Sequence, residues 1–525
     1  MNGKNVIANR AASAAADTLQ PTPTSLIEYN SHGRVLIIGA AAPAAAAEEM
    51  LPKPLTAQIL QTDGNSDLSP GATLLDGRNA EIVGHLGNFR IHIGVEGTPE
   101  YQMRSADMIL DLCPRPVLGM PLKPPGYFVC PAEASAIEVA IRELADMTGV
   151  FEKPRYFNYD PAICAHGRSG QIGCNRCLEV CPADAITALA ERIEVDPFRC
   201  QGGGICATVC PSGAIRYAYP ALADLLDRVR KLIHTYLDNG GEEPVLSLVA
   251  ESDIEQFAGL PDNVLLLVLE ELASAGLEVW LAALAYGANQ VVLLDGGSMP
   301  ESVSGKINEQ MVITGEIIRA LGISDTALVR HTRVGDLSVT PAPARHVLRV
   351  GFAGLNDKRN IAFAAIDALC NSRTEPVPLP KGAPFGRVQV NGEACTLCMA
   401  CTSVCPTAAL AAGGDEPRLV FHELNCVQCG ICVQACPESA IHLEPRLNLD
   451  IDERRRGITL HREAPFNCVS CGKPFTTGSM VATILSKLKD HPMFGTERAR
   501  RRLKMCEDCR VADVVQDDDA MDGIS

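Results

Sequence analysis

The runs "CTLCMACTSVCP" (395–406) and "CVQCGICVQACP" (426–437) decide the fold of this chain. Both follow the spacing C-x2-C-x2-C-x3-C-P, and soft, anionic thiolates are good ligands for iron. When two such runs are paired, the fourth cysteine of each run ligates the cluster of the other run. The pattern therefore predicts two 4Fe–4S clusters. Their ligands are Cys395, Cys398, Cys401 and Cys436 for one cluster, and Cys426, Cys429, Cys432 and Cys405 for the other.

The unit that ends each run occurs four times in the chain. The copies are "CPADAI" (181–186), "CPSGAI" (210–215), "CPTAAL" (405–410) and "CPESAI" (436–441). Proline fixes φ and lacks an N–H donor, so we expect it to end the cluster loop and to start a helix. The alanine and the isoleucine or leucine are expected to pack that helix against the cluster. Zinc, the alternative metal, requires neither the interleaved cysteines nor the prolines.

Residues 387–447 resemble bacterial-type ferredoxin domains through these eight cysteines and two prolines. The resemblance implies a compact two-fold βαβ module that holds two clusters close together and transfers single electrons. In such a module the protein contributes positioning, burial and hydrogen bonds to sulfur. Residues 151–220 are predicted to form a variant of the same two-cluster domain.

The 151–220 segment departs from the pattern at its first cysteine. The last three positions of a run are present at 174–182, but Gln171 occupies the first position. Cys164 can replace it, because the loop "AHGRSGQIG" (165–173) contains three glycines. His166 in that loop is an alternative ligand, although a surface or hydrogen-bonding role is favoured. The predicted ligands of this cluster are Cys164, Cys174, Cys177 and Cys210.

The partner site of this segment is incomplete. Gly203 stands where "CQGGGICATVCP" (200–211) should have its second cysteine, so the available ligands are Cys181, Cys200 and Cys206. Three interpretations remain open: a 3Fe–4S cluster, a 4Fe–4S cluster with one iron on water or another ligand, or no cluster.

Two further C-x2-C pairs, "CVSC" (468–471) and "CEDC" (506–509), lack the proline unit. Four thiolates make a closed tetrahedral zinc site, and "CVSCGKPF" is typical of a zinc knuckle. The sequence therefore predicts a four-cysteine zinc module over 460–515, with a further iron site as the alternative. The predicted metal ligands are Cys468, Cys471, Cys506 and Cys509.

The run "ERARRRLK" (497–504) is basic within a chain of formal charge −17. Nucleic-acid binding is one interpretation, but no aromatic residues are interleaved to stack on bases. A solvated helix face or a docking patch for an acidic partner is favoured, and we predict no nucleic-acid partner. Acidic redox carriers commonly dock on basic patches of their partners.

The rest of the chain indicates α/β layers. Residues 1–33, rich in Ala, Thr and Pro, are expected to form a flexible leader. "RVLIIGAAAPAAAAEEM" (34–50) predicts a strand, a glycine turn and a helix that open a small α/β domain over 34–150. The turn lacks a nucleotide-binding spacing, so a structural turn is favoured. Residues 240–345 alternate apolar strands and helices, which predicts a parallel α/β layer domain. The fold class is therefore multidomain, α/β and α+β.

The cysteine usage points to metal binding. The chain has 22 cysteines, many of them in C-x2-C pairs, and its first 25 residues do not have the pattern of a secretory signal, so we expect metal ligands and not disulfides. No uninterrupted apolar run reaches membrane-spanning length. We therefore expect a cytoplasmic protein without an integral membrane segment. Cys113, Cys130 and Cys370 have no ligand spacing and are expected to be incidental thiols.

The stretch 281–323 resembles the δ-subunit domain of methyl-viologen-reducing hydrogenases, a domain that also joins heterodisulfide reductases. The similarity lies in an Ala/Gly-rich helix, a "GA-x-x-V" strand and a long helix that ends in "LGI". In that family, cysteines after the strand help to bind a 2Fe–2S cluster. Here 295–298 read "DGGS". We therefore expect no cluster in the 240–345 domain, whose role would be docking or scaffolding.

Residues 34–515 resemble the large 4Fe–4S ferredoxin-like proteins of bacteria that are encoded beside molybdenum or tungsten formate dehydrogenases. The similarity lies in "ADMILDLCPRPVLGMPLKPPGYF" (106–128), "KPRYFNYDPAICAH" (153–166) and "FGTERARRRLKMCEDCRV" (494–511). It implies an electron carrier or accessory protein for formate oxidation. Gly203 departs from the family pattern.

Three functions follow as hypotheses. The leading one is an electron-transfer polyferredoxin whose partner is a cytoplasmic redox protein such as a formate dehydrogenase. The others are an iron–sulfur subunit of a hydrogenase- or heterodisulfide-reductase-like enzyme, and a maturation factor for an oxidoreductase. The sequence has no convincing nucleophile or acid/base constellation, so no catalytic residue is predicted. The oligomeric state, the reduction potentials and the direction of electron flow stay open.

Overall fold

Helices and strands occur in mixed order along the chain, which agrees with the predicted α/β and α+β classes. The structure is a computed structural model, and it describes residues 3–63, 73–74, 80–98, 101–332, 357–370, 374–414 and 416–517. Parts of the predicted 34–150 and 240–345 domains lie outside the described residues, at 64–72, 75–79, 99–100 and 333–345.

The N-terminal segment is not the predicted flexible leader. Gly3–Ala16 form helix α1, whose Ala8, Ala12 and Ala16 are buried at a spacing of four residues. This stripe packs on the helix Leu222–Asp238, because alanine lets two helix axes approach closely. The prediction was wrong because an alanine-rich composition was taken for a linker, although its spacing is that of a helix face.

A five-stranded parallel sheet organises the next region. Alternate residues of its central strand, Arg34–Gly39, face two helices on one side and a three-stranded antiparallel sheet on the other. A Cβ on Gly39 would lie 3.0 Å from the Cβ of Leu112, so the turn after this strand is closely packed. The elements are β1 (Leu26–Ser31), β2 (Arg34–Gly39), α2 (Ala41–Met50), β3 (Thr56–Gln61), β4 (Thr73–Leu74), β5 (Ala80–Val83), β6 (Phe89–Ile93), β7 (Gln102–Ala106), β8 (Met108–Asp111), β9 (Tyr127–Val129), α3 (Ala134–Asp146) and β10 (Gly149–Pro154). β10 pairs with β1.

The first cysteine module (157–217) has two similar halves. In each half a short helix carries the third cysteine position of a run and ends at the C-P pair. The first and last strands of the module pair in antiparallel fashion. The elements are β11 (Phe157–Tyr159), β12 (Gly167–Arg168), β13 (Gln171–Ile172), α4 (Arg176–Val180), β14 (Ile186–Leu189), β15 (Arg192–Val195), α5 (Ile205–Val209) and β16 (Ile215–Tyr217).

The C-P-x-x-A units do not start helices, which corrects the prediction for them. The residue after the alanine begins a strand in all four copies, at Ile186, Ile215, Leu410 and Ile441. The helix precedes the cysteine instead, and the proline cannot supply the N–H that would continue it. The four alanines are buried: Ala185, Ala214, Ala409 and Ala440.

A second sheet of four parallel strands forms the largest core of the described chain. Its strand Val245–Ala250 is buried at every residue, as in sheets that are covered on both faces. The helix Leu277–Tyr286 is also buried at all ten residues and carries the single tryptophan, Trp280. The elements are α6 (Leu222–Asp238), β17 (Val245–Ala250), β18 (Val264–Leu269), α7 (Leu277–Tyr286), β19 (Gln290–Leu294), α8 (Glu301–Ala320) and β20 (Leu328–His331).

Helix α9 (Lys358–Leu369) packs on α7 and leads into the second cysteine module (386–447). The elements that follow α9 in this region are β21 (Val377–Pro378), β22 (Gly386–Val390), α10 (Ala400–Val404), β23 (Leu410–Ala412), β24 (Arg418–Phe421), α11 (Ile431–Gln434) and β25 (Ile441–Leu447). The C-terminal segment adds α12 (Ile451–Arg455), β26 (Ile458–Arg462), β27 (Pro465–Asn467), β28 (Pro474–Thr477), α13 (Gly478–Lys487), α14 (Glu497–Arg502) and α15 (Glu507–Val515). β26 pairs with β24 of the second module. Among the described helices, none has the length and apolarity that a membrane crossing requires.

Candidate metal centres

The second cysteine module gathers its eight cysteines into two groups. Cys436, from the second run, lines one cavity with Cys395, Cys398 and Cys401 from the first run. Burial, together with the charges of these three neighbours, raises the pKa of the Cys401 thiol to about 12. We call these four residues the Cys395 group.

Cys405, from the first run, lies with the cysteines of the second run. Burial raises the pKa of the Cys429 thiol to about 12, and the charges of Cys426 and Cys405 add to the increase. The pKa of the Cys432 thiol is raised by burial and by the same neighbours. The structure thus brings together the cysteines that the pairing rule assigns to one cluster. The Cys426 group consists of Cys405, Cys426, Cys429 and Cys432.

In three of its four copies, the repeated C-P-x-x-A unit makes a hydrogen bond to the sulfur of its own cysteine. The alanine N–H donates to the sulfur of the cysteine four residues earlier, at N–S distances of 3.4 Å for Cys181, 3.2 Å for Cys405 and 3.3 Å for Cys436. In the remaining copy, Ser212 Oγ lies 3.7 Å from Cys210 Sγ. Hydrogen bonds to a sulfur stabilise its charge and tune the metal centre. The repeated unit therefore supplies a hydrogen bond to a candidate ligand sulfur.

The first cysteine module forms the Cys164 group, which consists of Cys164, Cys174, Cys177 and Cys210. Burial raises the pKa of the Cys177 thiol to about 12, and the charges of the other three cysteines add to this. Cys164 reaches the group across the β12–β13 hairpin. His166 is buried, and its Nδ1 lies 3.1 Å from the carbonyl oxygen of Cys174. This contact supports the hydrogen-bonding interpretation of the histidine.

The incomplete site, which we call the Cys200 group, contains Cys181, Cys200 and Cys206. The three thiols line one cavity together with Gly203. Within the described residues that line this cavity, there is no fourth cysteine, histidine or carboxylate side chain. Burial raises the pKa of the Cys206 thiol, and the charges of Cys200 and Cys181 add to the increase.

The three neighbouring glycines of this site differ in whether the structure would tolerate a side chain at their positions. Gly202 and Gly204 have φ values of 82° and 70°. A Cβ at these positions would lie 2.9 Å from the Tyr156 ring and 2.5 Å from Ser274. A Cβ at Gly203 would meet nothing within 4 Å. Glycine is therefore required on both sides of position 203, but packing does not require it at 203 itself.

Lys153 is a residue that the sequence analysis missed. Its ammonium donates to the carbonyl oxygens of Cys200 at 2.7 Å and Phe198 at 2.8 Å. Burial lowers the pKa of Lys153 to about 8, against the opposing charges of Cys200 and Asp196. A cation beside a group of thiolates offsets part of their negative charge. No fixed spacing relates a lysine to a cysteine run, so no sequence signal could have found it.

The donor sets of these four groups fit iron–sulfur clusters. Each group consists of thiols that are brought together from two chain segments, and backbone N–H groups point at several of the sulfurs. Three groups offer four thiols, and the Cys200 group offers three. Two of the predicted incidental thiols lie apart from them: burial and the neighbouring Asp111 raise the pKa of Cys113 to about 12, and Cys130 donates to the Pro131 carbonyl.

The C-terminal cysteines form a fifth group, the Cys468 group. The sulfurs of Cys468, Cys471, Cys506 and Cys509 all lie within 4.8 Å of one another. Burial acts to raise the pKa of Cys468, but the backbone N–H groups of Cys471 and Cys506 outweigh it and lower the pKa to about 6. Four thiols at this separation, one of them acidic, suit a tetrahedral metal site.

The basic run next to this group is partly neutralised within its own segment. Arg498 and Arg502 both pair with Asp513 of α15 and with Asp517, which follows this helix. Their charges thus hold α14 against α15. This arrangement favours a structural role for these two arginines.

The segment 295–298 of the layer domain is held by its own polar contacts. Asp253 accepts hydrogen bonds from the Gly296 N–H and the Ser298 hydroxyl, both at 2.9 Å. Asp295 pairs with Arg330. Residues 295–298 therefore form a hydrogen-bonded turn.

Two segments, 172–214 and 394–440, match the family of 4Fe-4S dicluster domains. Together with the grouped cysteines, these two matches support the class of an iron–sulfur, ferredoxin-like protein. The chain is 39% identical over 54 residues to a subunit of the ion-translocating oxidoreductase complex of Methanosarcina acetivorans. It is 38% identical over 55 residues to a component of hydrogenase-4 of Escherichia coli. Each match covers 10% of this chain, and the chain spans only 19% and 24% of the respective relatives.

Proposed function

We propose that this chain is an electron-transfer polyferredoxin, which passes single electrons through clusters held by its cysteine groups. The observation that carries the proposal is the exchange of Cys405 and Cys436 between the paired runs, because a two-cluster fold requires it. When bound, the clusters supply one-electron oxidation and reduction. The chain holds their sulfur ligands, buries them and donates hydrogen bonds to them.

We assign a 3Fe–4S cluster to the Cys200 group and zinc to the Cys468 group. Three thiols around Gly203 support the first assignment. The second is supported by four mutually close thiols that lack the C-P unit.

The proposed partner is a formate dehydrogenase. Support comes from the resemblance of 106–128, 153–166 and 494–511 to ferredoxin-like proteins encoded beside such enzymes. The formal charge of −17 also suits docking on a basic surface. A second candidate is an iron–sulfur subunit within a larger redox complex, because both curated relatives are named as a subunit or component of one.

The test starts from full-length protein purified without oxygen, with iron, sulfide and zinc counted per chain. Dithionite should bleach the clusters, and an oxidised viologen should restore their absorbance. Clusters that neither dithionite nor a stronger reductant can reduce would overturn the electron-transfer proposal. Formate should reduce the clusters only when a formate dehydrogenase is added. Purification of the chain from its native host in a stable complex with other redox subunits would favour the second candidate.

A further inference from the structure

Two adjacent cations at the start of α9 contact different cysteine modules. Lys358 donates from Nζ to the carbonyl oxygen of Ala207 at 2.8 Å, and also to that of Thr208. Both carbonyls belong to α5 of the first module, next to Cys206. The Lys358 side chain is only 11% exposed and lies 3.8 Å from the buried Glu278 of α7.

The second cation, Arg359, contacts the second module. Its guanidinium donates to the carbonyl oxygens of Leu424 at 2.5 Å and Cys426 at 2.6 Å. A third bond, at 2.7 Å, reaches the Pro384 carbonyl in the linker before this module. The same guanidinium lies over the ring of Phe363, 4.9 Å from its centroid. Burial lowers the pKa of Arg359 to about 10, so the side chain stays charged at neutral pH.

The two modules also contact each other directly, through loops of the Cys164 and Cys426 groups. β13 packs against α11, and a Cβ on Gly173 would lie 3.0 Å from the Cβ of Ile431. Arg168 of the first module reaches the Cys405 carbonyl at 3.4 Å. Gly173 precedes Cys174, and Ile431 follows Cys429 by two residues, so ligand loops of both groups meet at this contact.

The other two groups adjoin the facing pair inside their own modules. In the second module, α10 carries Cys401 of the Cys395 group and packs against α11, which carries Cys432 of the Cys426 group. In the first module, α4 carries Cys177 of the Cys164 group and packs against α5, which carries Cys206 of the Cys200 group. The four groups therefore follow one another in the order Cys395, Cys426, Cys164, Cys200.

We propose that Lys358 and Arg359 are positioning residues that hold the two modules in series, with the Cys426 and Cys164 groups as the facing pair. The inference rests on the proposed electron-transfer function. When an electron crosses this contact, one of the two facing sites is oxidised by one unit and the other is reduced by one unit. No atom or proton moves with it. A low-potential one-electron donor supplies the electron at one end, and a redox partner removes it at the other.

The test measures the magnetic interaction between the facing sites by EPR in fully reduced, full-length holoprotein. Serine replacements of Cys395, Cys398, Cys200 and Cys206 leave only the facing sites loaded, so any splitting comes from the contact between modules. We expect this splitting in the serine background and its loss in Arg359→Met, with unchanged iron content. Lys358→Met should also weaken it, and Arg359→Lys should retain part of it, because lysine lacks the planar fork.

The matched control is Arg319→Met, an exposed arginine of α8 that pairs with Glu316, and it should leave the splitting unchanged. If the serine background fails to load iron, the native chain serves instead. There, Arg359→Met must remove the same component of the splitting that Cys429→Ser removes. An unchanged splitting in Arg359→Met, or none in the parent protein, would overturn the inference. Clusters that resist reduction would instead contradict the proposed function.

Discussion

One hydrogen bond distinguishes the two cysteine groups of the second module. Gln428 donates from its side-chain amide to the Cys426 sulfur at 3.3 Å. The residue at the same place in the other run is Leu397. Both residues have positive φ, 53° and 54°, so the loops have the same shape. The two sites of this module therefore differ in the charge stabilisation that their sulfurs receive.

Gln428→Leu should make the Cys426 site harder to reduce. Reduction adds negative charge to the sulfurs, and a lost hydrogen bond worth about 1 kcal/mol corresponds to roughly 40 mV for a one-electron couple. Redox titration followed by EPR measures the shift. Gln389→Leu, in which the lost partner is Glu444 on the surface of β25, should leave the potential unchanged. Equal potentials in Gln428→Leu and the parent would contradict this explanation.

Gly203→Cys should complete the Cys200 site. The position accepts a Cβ without a clash, so the new thiol can join the three present ones. The oxidised protein should lose its 3Fe–4S EPR signal, and the iron content should rise by about one per chain. Gly119→Cys, where a Cβ also meets nothing within 4 Å, controls for an added thiol elsewhere. Identical spectra before and after Gly203→Cys would mean that this corner is not part of a cluster.

The alanine stripe of α1 is the clearest feature at the scale of single elements. Ala12 is fully buried between α1 and α6, while Ala14 on the same helix is exposed. Ala12→Leu should lower the free energy of unfolding by about 1–3 kcal/mol, because a closely packed contact has no room for a larger side chain. Ala14→Leu should have little effect. Urea unfolding followed by Trp280 fluorescence compares the two, and equal midpoints would contradict this packing.

The Cys468 group brings together two parts of the C-terminal segment, 468–471 and 506–509. This segment also contacts the second cysteine module, next to Cys395. Thr477 donates from Oγ1 to the Thr396 carbonyl at 2.9 Å, and Lys487 pairs with Glu438 at 2.8 Å. Cys506→Ser should remove about one zinc ion per chain and expose the segment after β26 to protease, because structural zinc contributes to folding. Cys370→Ser should change neither. Metal analysis decides between the metals, and iron in place of zinc would contradict the assignment.

The helices, strands and cysteine groups show which features could be predicted from the sequence and which could not. Spacing predicted the two cysteine groups of the second module, because the crossed pairing is a property of the repeat. Cys164 lies outside that spacing and was assigned from the glycine-rich loop that follows it. Sequence reasoning failed for α1, where composition was given more weight than periodicity, and for the C-P units, where proline ends a helix that lies before it. No local sequence pattern could have predicted Lys153, Lys358 and Arg359. Each donates hydrogen bonds to carbonyl oxygens of residues that are far away in the sequence.

The whole molecule combines a strong negative charge with sites of one-electron chemistry. Reduction of a basic protein acceptor should therefore slow severalfold when the ionic strength rises from about 10 mM to about 150 mM, because salt shortens the range of charge attraction. Stopped-flow kinetics measures the rate. A small anionic acceptor such as ferricyanide should respond in the opposite direction. A rate with the basic protein that does not depend on salt would show that charge does not guide docking.

The exchange of Cys405 and Cys436 also determines when, during translation, the ligands of each site in this module become available. As the chain leaves the ribosome, the first run of the second module emerges with only three of the four sulfurs that its site gathers. The missing one, Cys436, is made 31 residues after Cys405. Neither site of the module can be filled until the later run has been translated. We therefore expect the second module to be loaded only after both of its runs have been made, and a truncated product that ends between the two runs would have no complete site of this module to load.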